Sequence, residues 1–149
     1  MPPFGEDPVE AVIATKLGGE KVLHTHVRGL GDLARVVGEG LPLDVLDHMR
    51  ASGRFREGEL SRILPARTAQ HRRASRRGLT PEESDKAVRL LRIQTLAEQT
   101  FGSVDKADRW LRRPLRALDD QEPLRVAETE AGGRLVERLL VGIAWGAAA

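Results

Sequence analysis

Apolar residues recur at helical spacing along most of this chain, and the intervals between the runs are rich in proline, glycine and capping residues. Val9, Val12, Ile13 and Leu17 follow Asp7-Pro8, an N-cap with proline at the first helical position and Glu10 as the capping-box acid, and they stop at Gly18-Gly19. Leu30, Leu33, Ala34 and Val37 predict a helix over 30–39, and Leu43 and Leu46 another over 43–52, separated by Gly40-Leu41-Pro42 and closed by Gly53. Residues 57–64 and 68–75 read as two short helices joined by Leu64-Pro65-Ala66-Arg67, a turn because proline cannot sit mid-helix. That is helix-turn-helix geometry. In the second of the pair only Ala69 and Ala74 are available to face inward, so Gln70, His71, Arg72 and Arg73 are expected to point out.

The strongest local signal is Thr80-Pro81-Glu82-Glu83: an N-cap threonine, proline at the first position, and a glutamate three on to close the box. A long helix follows through Ala87, Leu90, Leu91, Ile93, Leu96 and Ala97 to Phe101, apolar on more than one face and therefore a buried spine, with Gly102 at its end. Ser103 caps a helix carrying Val104, Ala107, Trp110 and Leu111, with Trp110 expected in the core. Pro123 and Thr129 start the last two helices, and the final one directs Leu135, Leu139, Leu140 and Ile143 to the core before ending near Trp145-Gly146. Residues 21–28 alternate and read as one strand or an extended linker. The fold class is all-α.

Composition narrows the function. The chain has 149 residues, 40% hydrophobic and 31% charged, enough for one domain or two small ones sharing a core. Aromatics make up only 3%, which argues against β-sandwiches, barrels and RNA binders that stack bases on aromatic platforms. The absence of cysteine excludes disulfides, thiolate catalysis and thiolate zinc sites. The acidic, proline-containing start is unlike a signal peptide, and the longest apolar run, 139–149, falls short of the roughly 18 residues that span a bilayer. A cytoplasmic protein with no membrane contact is expected.

Charge is unevenly placed. Residues 50–77 hold nine arginines against Glu57 and Glu59, a local net of +7, so the rest of a chain of net +2 is acidic by five. A cluster made only of arginine suits phosphate, which guanidinium binds bidentately; a solvated face or an acidic partner fits the charge equally well. Together with the polar second helix it marks Arg62, Arg67, Thr68, Gln70, His71, Arg72 and Arg73 as DNA-contact candidates, with Arg76 and Arg77 as phosphate anchors. One helix-turn-helix presents a small footprint, so a homodimer reading two half-sites of double-stranded DNA is expected, with 1–28 as the contact.

No catalytic arrangement emerges. His24-x-His26 lacks a third ligand for a metal, His48 and His71 are isolated, and the pairs Gly29/Gly31 and Gly38/Gly40 do not follow a clear strand or end in the lysine of a phosphate loop. The sequence calls for no cofactor and no metal.

Several spaced motifs then carry a resemblance: Gly40-Leu-Pro-Leu, Ile63-Leu-Pro-Ala-Arg-Thr, Leu79-Thr-Pro-Glu-Glu-Ser-Asp-Lys, Ala97-Glu-Gln-Thr-Phe-Gly, Lys106-Ala-Asp-Arg-Trp-Leu-Arg-Arg-Pro, Pro123-Leu124 and Thr129-Glu-Ala-Gly-Gly-Arg-Leu-Val-Glu. Over roughly 29–149 the chain resembles the Xre/MbcA/ParS-like antitoxins, partners of RES-domain toxins in bacterial type II toxin–antitoxin modules. The resemblance implies an N-terminal arm (1–28) that assists dimerisation, a helix-turn-helix domain (29–78) that represses the operon's own promoter, and a C-terminal domain (79–149) that binds the toxin. It also implies that the toxin attacks NAD and that the antitoxin blocks the route to the toxin's pocket. Arg112, Arg113, Arg116, Trp145, Gly146 and Ala149 are the toxin-contact candidates. Ala69 departs from the leucine that relatives often carry and thins the helix-turn-helix core. The competing readings are a stand-alone transcription regulator whose C-terminal helices dimerise or sense a ligand, and a helical scaffold with a fortuitous arginine cluster.

Overall fold

The computed structural model describes residues 7–146, and these form helices throughout, with no strand among them and one isolated bridge between Leu115 and Gln121. In order they are α1 (Val9–Lys16), α2 (Glu20–Leu23), α3 (Leu30–Glu39), α4 (Asp44–Ala51), α5 (Glu57–Ile63), α6 (Ala66–Ala74), α7 (Pro81–Phe101), α8 (Val104–Leu111), α9 (Pro123–Val126) and α10 (Glu130–Gly146), plus a 3-10 turn at Arg116–Leu118. The chain divides into two compact units, and the division falls inside α7: Glu10–Val88 is one, and the residues from Arg89 onward make up most of the other.

In the first unit, of the two readings of 21–28, a strand or an extended linker, the strand is absent, and residues 24–28 form a connecting segment. α2 occupies the start of 21–28, His24 turns the chain with φ 56°, and the apolar residues that turn inward are Leu23 and Val27, four apart. α2 ends at Leu23 and residues 24–28 run on without regular structure, so the alternation belongs to no strand. α3 has the expected bounds but a different inner face. It buries Leu33 and Val36, while Leu30 is 62% exposed and Ala34 also faces out. α4 buries Val45, Leu46 and Met49.

Two glycines let distant segments meet here. A Cβ on Gly40 would lie 2.4 Å from the Leu79 carbonyl oxygen, and one on Gly78 would lie 2.7 Å from that of Leu41. The Leu79 amide donates to the Leu41 carbonyl at 2.8 Å, and the Leu41 amide donates to the fully buried Ser84 Oγ at 2.8 Å. The Gly40-Leu-Pro and Leu79-Thr-Pro-Glu-Glu-Ser motifs are therefore two sides of one junction. The capping box of α7 forms as the sequence predicts: Thr80 N–H donates to Glu83 Oε1 at 2.8 Å, and Glu83 N–H to Thr80 Oγ1 at 3.2 Å.

In the second unit Ser103 caps α8 by accepting from Lys106 N–H, and Thr129 caps α10 by accepting from Gly132 N–H at 3.0 Å. A side chain at Gly132 would collide with the Val126 carbonyl, so glycine is required where α9 turns into α10. α9 packs on both α8 and α10. Trp110 is half-buried rather than a core residue, lying against Phe101 with ring centroids 5.6 Å apart. α10 buries Gly133, Val136 and Leu140; the expected inward set is corrected at Leu135 and Ile143, which face out, and at Leu139, which is half-buried.

Candidate functional site

α5 and α6 are joined by Leu64 and Pro65 alone, because Ala66 and Arg67, expected in the turn, already belong to α6. Pro65, with ψ 143°, supplies the extended conformation that ends one helix and lets the next begin. At 100° per residue, Arg67, Gln70, His71 and Ala74 share one face of α6, and Thr68, Ala69, Arg72 and Arg73 share the other. The first face is exposed at every position. The second is only partly covered, and no residue of α6 is buried.

Ala69 lines a small, partly open pocket of about 30 Å³, with Leu43, Leu46, Leu60 and Leu64 as its apolar walls and Arg50, Glu57, Ser61 and Arg73 among its polar ones.

The arginine cluster divides in the same way. Arg72, expected to point out, turns back: its guanidinium spans both oxygens of Glu83, with Nη2 at 3.0 Å from Oε2, and Nη1 also donates to the Gly78 carbonyl at 3.3 Å. Only 18% of its side chain is exposed. Burial alone would push the Glu83 carboxyl up, but Arg72 and the Thr80 backbone and hydroxyl bring it below the ordinary carboxylate range. Arg73 donates to both Asp47 oxygens at 2.9 and 3.0 Å, and Asp47 also accepts from Arg50, which is paired with Glu57.

Arg67, Arg76 and Arg77 are exposed, and Arg76 takes φ 56° in the turn that closes α6. Arg62 is half-buried and donates to Gly58. The carboxylate partners Asp47 and Glu83 escape sequence reasoning, since they lie 26 and 11 residues from their arginines; the capping-box role of Glu83 was the one available signal.

In the second unit, Arg113 and Arg116 are exposed, whereas Arg112 is 7% exposed at its side chain and pairs with Asp108 at 2.5 Å. On α10, Leu135 is 45% exposed, Ile143 36% and Trp145 54%, and Gly146 ends the helix in the open. Leu135, Leu139, Gly142, Ile143 and Gly146 fall on one stripe at helical spacing. Ala149 lies outside the described residues. Among the described residues no helix is long and apolar enough to cross a membrane. His26 is held by Glu20 at 2.7 Å, and no group of three metal-ligating side chains occurs among the described residues.

Residues 32–92 match the antitoxin Xre-like helix-turn-helix domain, and 96–146 match the antitoxin Xre/MbcA/ParS C-terminal toxin-binding domain. Among curated relatives, an antitoxin Xre of Photorhabdus laumondii is 32% identical over 72% of this chain and 75% of its own length. One of Pseudomonas putida is 36% identical over 59% of this chain, and the match spans about half of that relative, 55%. One of Yersinia enterocolitica is 31% identical over 62% of this chain and 65% of its own length. With both domains present in that order, on helices whose charged and apolar faces lie in the matched segments, the chain belongs to the Xre family of antitoxins.

Proposed function

We propose that the chain neutralises a RES-domain toxin that attacks NAD and represses its own operon, binding promoter DNA as a homodimer in the cytoplasm. In this reading residues 29–78 carry the DNA work and 79–149 the toxin work. The observation that carries the toxin half is the exposed apolar stripe of α10, where Leu135 and Ile143 stay uncovered, with Trp145 exposed on a different face, inside the segment similar to toxin-binding domains. Large side chains left in water on one helix face suit a partner that covers them, and tryptophan is enriched among interface hot spots. The exposed Arg113 and Arg116 add basic contacts to the same unit. The DNA half is supported by the outer face of α6, where Arg67 and Gln70 can each make two hydrogen bonds to a base edge, with Arg76 and Arg77 beside them for phosphates.

The test is co-expression with the neighbouring gene product, scoring growth and NAD level. Rescue by the wild-type chain and its loss in a folded Leu135→Asp/Ile143→Asp variant support the assignment; full rescue by that variant, with its circular dichroism unchanged, removes α10 from it. For the promoter, Arg67→Ala is expected to weaken binding and to lower the slope of log affinity against log salt by about 0.9, the contribution of one phosphate contact, or to relax base preference instead.

A further inference from the structure

α6 is an unusual helix for an element that must be held at a fixed angle, because apolar packing does little to fix it. None of its nine residues is buried, Thr68 and Ala69 are its only half-covered small residues, and Ala69 borders a small, partly open pocket. What spans from its inner face to the rest of the unit is charge. Arg72 reaches Glu83 on the first turn of α7 through both guanidinium nitrogens, and on the way it donates to the carbonyl of Gly78. Glu83 is itself fixed, since its Oε1 accepts from Thr80 N–H at 2.8 Å. Arg73 reaches Asp47 on α4 through two more hydrogen bonds, and Asp47 is tied in turn to Arg50 at 3.1 Å. Arg72 makes a forked pair through two nitrogens, which fixes direction as well as distance, whereas Arg73 reaches both Asp47 oxygens from Nη2 alone.

We infer that Arg72 and Arg73 are positioning residues of the DNA-reading helix, setting its roll against α7 and α4 through Glu83 and Asp47, and that reading is left to the opposite face. The inference rests on α6 being the helix that meets DNA. The arginine cluster then has two roles, with Arg72 and Arg73 holding the helix while the solvent-facing Arg67, Arg76 and Arg77 meet the phosphates and bases. The two anchors differ in depth. The Arg72 and Glu83 side chains are 18% and 20% exposed, those of Arg73 and Asp47 48% and 43%. The Arg72 pair is therefore the better shielded of the two from water and salt.

Glu83→Gln separates anchor from contact by sign. Glutamine keeps the capping role toward Thr80 but removes the charge that holds Arg72. If Arg72 is an anchor, Glu83→Gln and Arg72→Ala each weaken binding to a duplex taken from upstream of the coding gene by about tenfold. Binding to a random-sequence duplex then stays within about twofold, and the salt slope is unchanged because no phosphate contact is lost. If Arg72 instead contacts phosphate, Glu83→Gln frees it and tightens binding to both duplexes, and Arg72→Ala lowers the slope by about 0.9; either result overturns the inference. An equal loss on both duplexes, the mark of a merely unfolded unit, overturns it as well.

Amide exchange on the DNA-free protein gives a readout that does not need the DNA assignment. Glu83→Gln is expected to speed exchange of Ala66–Ala74 at least fivefold while 84–101 keep their protection, and unchanged exchange in α6 refutes the anchor. Should the wild-type chain bind neither duplex, the DNA reading fails and the exchange result alone decides the anchor.

Discussion

At the scale of single residues, the positions that matter most join segments far apart in sequence. Ser84 is the clearest: fully buried, it accepts the Leu41 amide from 43 residues away. Ser84→Ala leaves that amide buried and unpaired, a cost of about 1–3 kcal/mol, so its thermal midpoint should fall by several degrees, measured by circular dichroism. Glu83 gives a second expectation, with a pH signature. Its carboxyl is held below the usual value of 4.5 by Arg72 and Thr80 against the opposing effect of burial. A depressed acid contributes stability that is full above its unfolded value and is lost as pH falls through its folded one. The stability gap between wild type and Glu83→Gln should therefore be constant near neutrality and shrink as the pH drops below about 4.5, in thermal melts taken from pH 7 to pH 3. A gap that widens toward acid would show that the Arg72 pair is not its source.

Capped helix ends were legible in the sequence, and so was the buried spine of α7, where Ala87, Leu90, Leu91, Ile93, Leu96 and Ala97 are all buried, but the inner faces of α3, α6 and α10 were not, and the reason is range. A cap is a contact between residues three apart, so Thr80 with Glu83, Ser103 with Lys106 and Thr129 with Gly132 could be read from spacing, and each is formed. Which apolar stripe turns inward depends on partners elsewhere in the chain. On α10 the sequence offers Leu135 and Val136 side by side, and only the packing buries Val136 and leaves Leu135 exposed. The α6 arginines are the same problem in charge: composition reveals a basic cluster, but which members are engaged depends on acids 11 and 26 residues distant. The pocket beside Ala69 yields a prediction at this scale. Ala69→Leu places apolar surface against Leu43, Leu46, Leu60 and Leu64 in a partly open pocket, and should stabilise the first unit by about 1 kcal/mol. A raised melting temperature checks it. A lowered one means that α6 cannot shift to admit the larger side chain.

For the molecule as a whole, the N-terminal segment has a part beyond the contact between copies that its sequence suggested. An alternating run at 21–28 would have offered an open strand edge to a second copy, but α2 and the turn at His24 remove that edge. The segment helps to build the first unit: Ile13 and Leu17 are completely buried, and Ala14, Leu23 and Val27 nearly so. Burying a large aliphatic side chain contributes about 1.5–3 kcal/mol, and four such side chains approach the whole stability of an ordinary domain, about 5–15 kcal/mol. Removing residues 1–28 should therefore unfold the Glu10–Val88 unit rather than release an intact monomer. The expected result is loss of the cooperative melt and collapse of amide dispersion for 29–88. Light scattering of the full chain, not of this truncation, is then the proper measure of self-association. A fragment 29–149 that melts cooperatively near the wild-type temperature would show that the unit does not need these side chains. It would return the arm to the role of a detachable contact between copies.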